Sequence, residues 1–140
     1  MAVSAINPLP VAEASYGTVE TVTVSAGDET NGGTDGTSKT EEAVRTYFKD
    51  IPVMVSIARC ESHFRHTLAD GSVLRGVVDN RDVGVMQINT GYHADTAKKY
   101  NLDLLKLEDN MAYARILYEK QGTAPWSASA KCWNNNVAVR

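Results

Sequence analysis

The sequence predicts a mainly helical α+β domain with one small β-hairpin lobe, standing behind a disordered N-terminal arm. Three observations carry this expectation. Apolar residues recur at helical spacing in the stretches 52–64 and 109–121. The dipeptide Asp70-Gly71, suited to a tight turn, is flanked by Thr67-Leu68 and Val73-Leu74. Residues 15–40 mix Thr, Ser, Gly, Asp and Glu, with too little apolar surface to repay ordering. The expected division is an arm over 1–40, a folded domain over 41–133 and a tail over 134–140.

Each element has its own signals. The opening Met1-Ala2-Val3-Ser4-Ala5-Ile6 has no charged n-region and meets Pro8 and Pro10 early, so it is not a full secretory signal. Ala12-Glu13-Ala14 has the small-x-small form of a cleavage site, and reads either as the remnant of an export signal or as part of the arm. Asn31-Gly32-Gly33 and Asp35-Gly36 are linker signals; Val19, Val22 and Val24 alternating with threonines allow one short strand, but a tether is the expectation. Order is expected near Ser38, whose spacing to Glu41 matches a capping box ahead of Ala43, Val44, Tyr47 and Phe48.

A second helix is expected after Asp50, with Pro52 in its first turn, running to about Phe64. The hairpin lobe follows over 65–82. Helical signals return over 92–100, pass through a leucine-rich turn at 102–107, and continue in a long helix from about Asp109 to Gln121 that Gly122 terminates. Its stripe of Met111, Ala114, Leu117 and Tyr118 reads as core. Pro125-Trp126 opens a last short helix leading to Cys132-Trp133.

The chain of 140 residues has room for one domain with a real core. Five of its 17 acids but only one of its 14 bases fall in the first forty residues, so the net charge of −3 belongs to the arm. A near-neutral domain with scattered bases gives no electrostatic case for nucleic acid, and no apolar run is long enough to span a membrane. The two cysteines, Cys60 and Cys132, allow free thiols, a metal pair or a disulfide.

Glu61 stands out because it continues the apolar stripe of Met54, Ile57 and Ala58 before Phe64 closes it. A carboxyl group there loses water, which disfavours its charged form and raises its pKa toward the range where it donates a proton near neutrality. That is the position of a general acid, in the last turn of a helix whose end opens on a cleft. The structural alternative is an ion pair with Arg59, Arg65 or another base.

Around Glu61 the chain reads Ala58-Arg59-Cys60-Glu61-Ser62-His63-Phe64, and further on Gly84-Val85-Met86-Gln87-Ile88-Asn89. This pair of motifs resembles the lysozyme superfamily, most closely its lytic transglycosylase and goose-type lysozyme branch. Cys60-Glu61-Ser62 together with Pro125, Trp126 and Cys132 is also similar to the resuscitation-promoting factors. The resemblance covers about residues 41–133. It implies a lysozyme-like fold, with the hairpin lobe as one wall of a sugar cleft, and a disulfide between Cys60 and Cys132. Such a bridge contributes roughly 4 kcal/mol in the chain-entropy model and indicates an oxidising compartment.

For activity, the resemblance implies cleavage of the β-1,4 bond between N-acetylmuramic acid and N-acetylglucosamine in peptidoglycan, by a monomer that needs no cofactor and no metal. Glu61 is the expected proton donor. Ser62, Met86, Gln87, Asn89 and Tyr113 are the expected substrate-binding residues, the last following Asn110, which resembles the family's helix-starting asparagine. For Ser62, Met86 and Gln87 the structural alternatives are a helix-end bond, core packing and support of the lobe.

A second carboxylate would serve a hydrolase as nucleophile or base. Asp70 is better explained by its turn, which leaves Asp79 and Asp82 as possible auxiliary acids; the position after Ile88, an aspartate in some goose-type enzymes, is Asn89. A lytic transglycosylase needs no second acid, because one glutamate acts as acid and then base while the substrate's own 6-hydroxyl attacks C1. That mechanism is the expectation, with lysozyme-type hydrolysis as its alternative and a non-catalytic wall-binding module as the alternative of another class.

The segment Trp126-Ser127-Ala128-Ser129 departs from the Tyr-Asn-Ala-Gly of many transglycosylases. Trp126 and Trp133 read as sugar-stacking or packing residues. Cys60, His63, His66 and Cys132 form a rival zinc set, but they lack paired-knuckle spacing. His93 has no evident partner and reads as a surface or cap residue. The expected location is outside the cell, in the cell envelope, or on a phage.

Overall fold

A computed structural model of the chain describes the backbone of residues 32–139 and the side chains of 36–134. The expectations for 1–31, including the cleavage-like segment and the valine-threonine strand, lie outside these residues.

Helix α1 spans Gly32–Tyr47 and so begins ahead of Ser38. Ser38 is an exposed interior residue and not a cap, because the turn it would have started is already helical: the Thr40 hydroxyl donates to the Gly36 carbonyl at 2.9 Å. A Glu41–Arg45 pair at 2.8 Å supports the following turn. Val44 and Phe48 are buried and anchor this end of the chain in the core.

Helix α2 (Pro52–Ser62) starts with proline at N1, where the missing N–H costs nothing, and buries Met54, Ile57 and Ala58. The end of α1 and the turn before α2 are tied to the long helix over 107–121 by Arg115, which pairs with Asp50, donates to the Tyr47 carbonyl, and lies over the Tyr47 and Phe48 rings. Helix α2 stops at Ser62, two residues before the expected end. His63 and Phe64 both take left-handed backbone angles, φ 55° and 60°. The reversal folds Phe64 back into the core beneath the Arg45 guanidinium.

The lobe is a short antiparallel meander. Its first turn is the one expected at Asp70-Gly71: Asp70 accepts from the Ser72 amide and hydroxyl, Gly71 has φ 89°, and Thr67 faces Val73 across a single bridge. Arg75 then bridges Val83. The regular strands come later than expected, β1 at Asp82–Val83 pairing with β2 at Ile88–Asn89 across the turn Gly84-Val85-Met86-Gln87. In that turn Gly84 and Gln87 have φ 78° and 51°.

Helix α3 (Thr90–Lys99) follows directly, with Asn89 as its N-cap accepting from the Tyr92 amide. Helix α4 (Leu107–Gln121) buries Asn110, Met111, Tyr113, Ala114 and Leu117, and ends where Gly122, at φ 63°, donates to the Tyr118 carbonyl. A 3₁₀ segment, Ala124–Ser129, leads into α5 (Ala130–Val139). Residues expected as a tail therefore continue this last helix. The core joins α1, α2, the lobe, α4, Trp126 and Trp133 in one cluster. A Cys60–Cys132 disulfide, with Cα atoms 6.0 Å apart, closes α2 onto α5.

Candidate functional site

Glu61 lies half-buried in the last turn of α2, as its place on the apolar stripe predicts. Its Oε2 accepts a hydrogen bond of 2.6 Å from the hydroxyl of Ser129, the last residue of the 3₁₀ segment. Serine takes the place of the arginine partners weighed from sequence. Burial raises the Glu61 pKa above the usual glutamate range; the Ser129 bond pulls against that rise, and the carboxylate of Asp82 on β1 adds to it. The disulfide fixes this meeting, since Cys60 immediately precedes Glu61 and Cys132 lies one helical turn beyond Ser129.

Of the two auxiliary acids, only Asp82 acts on Glu61. Asp79 accepts from the Arg81 amide and Nε at 3.0 Å, from its Nη2 at 2.9 Å, and from Asn89 Nδ2 at 3.1 Å. These donors hold the Asp79 carboxyl well below the usual carboxylate range, so it cannot exchange a proton with substrate near neutrality. Asp82 is held by a single bond from Asn89 Nδ2 at 2.9 Å.

Three of the expected substrate contacts, Ser62, Met86 and Tyr113, are buried. Ser62 is buried, its hydroxyl donating to the Ala58 carbonyl at 3.0 Å and accepting from the Arg65 amide, so it closes the helix end. Met86 is wholly in the core. Asn89 spends both amide hydrogens on Asp79 and Asp82, and its carbonyl oxygen accepts from the Tyr92 amide. Gln87 is half-buried and donates from Nε2 to the Gly84 carbonyl, a bond within the turn that carries it. The tryptophans pack and do not stack on solvent: Trp126 Nε1 donates to the Met86 carbonyl at 2.9 Å, and Trp133 Nε1 to the Trp126 carbonyl at 3.0 Å.

Tyr113 is buried and bonded at 3.0 Å to His93 Nδ1, which gives His93 a partner that the sequence did not reveal. Burial raises the Tyr113 pKa and lowers that of His93. The rival zinc set does not form, because its two sulfurs are bonded to each other. His66 is buried with Nε2 at 2.7 Å from the Leu105 carbonyl and Nδ1 accepting from the Val85 amide, which fixes a neutral ring. Burial accordingly lowers its pKa. Among the described residues no group of three or more His, Cys, Asp or Glu is placed to hold a metal ion.

Sequence reasoning gave Asn110 only as an asparagine at a helix start, and missed both its role as a buried hub and the place of Ser129 beside Glu61. Fully buried, Asn110 accepts from the Met86 amide at 2.9 Å and donates to the Val83 carbonyl at 3.0 Å and the Leu104 carbonyl at 2.9 Å. The available signal was an amide at the start of a helix whose neighbouring positions are apolar. Asn110 and His66 together hold both sides of the turn that carries Gly84. A separate cavity of about 620 Å³, lined in part by Arg75, Thr90, Lys98 and Lys106, does not include Glu61.

In comparisons with known proteins, no family model matches this chain, no curated protein is significantly similar to it, and no solved structure matches it.

Proposed function

We propose that the chain is a peptidoglycan-cleaving glycosidase, acting as a lytic transglycosylase on the β-1,4 bond between N-acetylmuramic acid and N-acetylglucosamine. The observation that carries this reading is Glu61: a half-buried carboxyl at a helix end, pushed toward its protonated form by burial yet still bonded by a hydroxyl. Such a group delivers a proton to a leaving glycosidic oxygen. On the mechanism that the sequence resemblance implies, the substrate's 2-acetamido group then stabilises C1, Glu61 takes the proton of the 6-hydroxyl, and a 1,6-anhydro product leaves.

Lysozyme-type hydrolysis is the second reading, favoured by one observation. Asp82 acts electrostatically on Glu61 and is less tightly held than Asp79, so it can serve as the second carboxylate of a hydrolase. The disulfide suits an oxidising compartment, and among the described residues no helix is long and apolar enough to cross a membrane. Both fit a protein working outside the cell, in the envelope or on a phage, on glycan strands.

Mass spectrometry of fragments released from purified peptidoglycan, run beside Glu61→Gln, tests these readings. Anhydromuropeptides absent from the variant are the expected result. Reducing-end products that require Asp82 move the assignment to a hydrolase. Glycan binding without release by the unaltered protein overturns the enzyme and leaves a wall-binding module.

A further inference from the structure

The hydroxyl of Ser129 has one hydrogen and two acceptors within reach. Glu61 Oε2 lies at 2.6 Å, and the Trp126 carbonyl, three residues back on the same 3₁₀ segment, at 3.1 Å. It cannot donate to both at once. When Glu61 is ionised the hydrogen belongs on the carboxylate, where a charge-assisted bond is both shorter and stronger. When Glu61 is protonated on Oε2, the acid donates to Ser129 Oγ, and the serine hydrogen turns to the Trp126 carbonyl.

That carbonyl already accepts from Trp133 Nε1 at 3.0 Å and has a second lone pair, so it is satisfied whether or not Ser129 turns to it. No buried polar atom is stranded in either arrangement. The frame around the hydroxyl is fixed by Trp126 Nε1 on the Met86 carbonyl and by the disulfide. The charged group facing Glu61 from the lobe is Asp82, which opposes ionisation, whereas Ser129 accommodates it.

We infer that Ser129 is a positioning residue that bonds Glu61 in both of its protonation states, so that a single carboxyl gives up and regains a proton by a hydroxyl rotation without rebuilding its surroundings. This rests on the proposed function, in which one glutamate is acid and then base. The geometry of the pair does not depend on that reading, so it can be tested separately.

The test uses the full chain with its disulfide, as Ser129→Ala, and as the near-isosteric pair Ser129→Thr and Ser129→Val, which keeps the comparison usable should the alanine variant fold poorly. Glu61 is followed by carbon NMR of labelled carboxyls, assigned by its absence from Glu61→Gln. Its titration midpoint is expected to move up in the alanine and valine variants and to return in the threonine variant. Below the midpoint, the isotope-edited infrared carbonyl stretch of protonated Glu61 is expected to rise when the hydroxyl is missing.

On peptidoglycan, kcat is expected to fall about ten- to a hundredfold in the alanine and valine variants, with KM little changed and the threonine variant restored. An unmoved midpoint in folded Ser129→Ala or Ser129→Val overturns the inference. So does a moved midpoint with an unmoved infrared band, which leaves Ser129 as a donor to the carboxylate alone. A shift in both spectroscopic readouts, in a protein that never cuts glycan, upholds the pairing and defeats the enzymatic reading instead.

Discussion

Replacing Asn110 with leucine removes a hub without opening a hole, since the two side chains have the same number of heavy atoms and the same branching, and leucine is the larger of the two. Three buried backbone groups lose the hydrogen bond that this side chain supplies: the Met86 amide, the Val83 carbonyl and the Leu104 carbonyl. Each stranded group costs about 1–3 kcal/mol, or roughly 3–9 kcal/mol for the three. Burying the leucine returns about 2 kcal/mol. A net loss on the order of 4 kcal/mol is therefore expected, a large share of the roughly 5–15 kcal/mol that holds a domain together.

Urea denaturation of the oxidised protein, followed by the fluorescence of Trp126 and Trp133, measures it. Asn110→Asp supplies a pH control. The aspartate keeps an acceptor for the Met86 amide but places a charge in a fully buried site, so its folded pKa is raised above its unfolded one. Stability held by the protonated form is then present at low pH and is lost as pH rises through the raised value. An Asn110→Leu variant within about 0.5 kcal/mol of the parent refutes the reasoning, because that is the scatter of neutral surface changes. A pH-independent Asn110→Asp refutes it as well.

Two further outcomes follow from the same contacts. Because burial raises the folded pKa of Glu61, the stability tied to its protonated form is present below the unfolded value and is lost as pH rises through the folded one. Glu61→Gln is thus expected to be more stable than the parent near neutrality, with the gap closing on acidification in urea titrations at stepped pH; a gap that widens toward acid contradicts this. Gly84→Ala is expected to unfold at markedly lower urea, since its Cβ would meet Asn110 Nδ2 at 2.5 Å and His66 Cε1 at 2.6 Å from a backbone at φ 78°. An alanine variant with unchanged stability would mean that this turn readily relaxes.

The parts of the fold that were legible in sequence are those fixed by neighbours along the chain. Pro52 starting α2, the turn at Asp70-Gly71 and Gly122 ending α4 each express local backbone chemistry. Glu61 was legible because an acid interrupting an apolar stripe is a local anomaly. The end of α2 was not, because His63 and Phe64 adopt left-handed angles that usually signal glycine or asparagine, and only the burial of Phe64 accounts for them. The strands were expected one turn too early, since Asp70-Gly71 is a stronger turn signal than the Gly84–Gln87 turn held by Asn110 and His66. Ser129 was invisible for a different reason: it meets Glu61 across 68 residues of sequence, and what joins them is the packing of α2 against the 3₁₀ segment and α5.

The disulfide also has a topological consequence. Cys60 and Cys132 are 72 positions apart and close a covalent ring around the lobe, α3, α4 and the 3₁₀ segment. Glu61 and Ser129 both sit just inside the neck of that ring. The most exposed large apolar residues on it are Val77 and Val78, in the lobe. A protease that nicks the chain there turns one polypeptide into two, yet the neck stays joined through sulfur, and the pieces separate on a gel only after reduction. The two residues of the candidate site belong to opposite pieces of the cut chain, each beside one half of the bond that keeps them together.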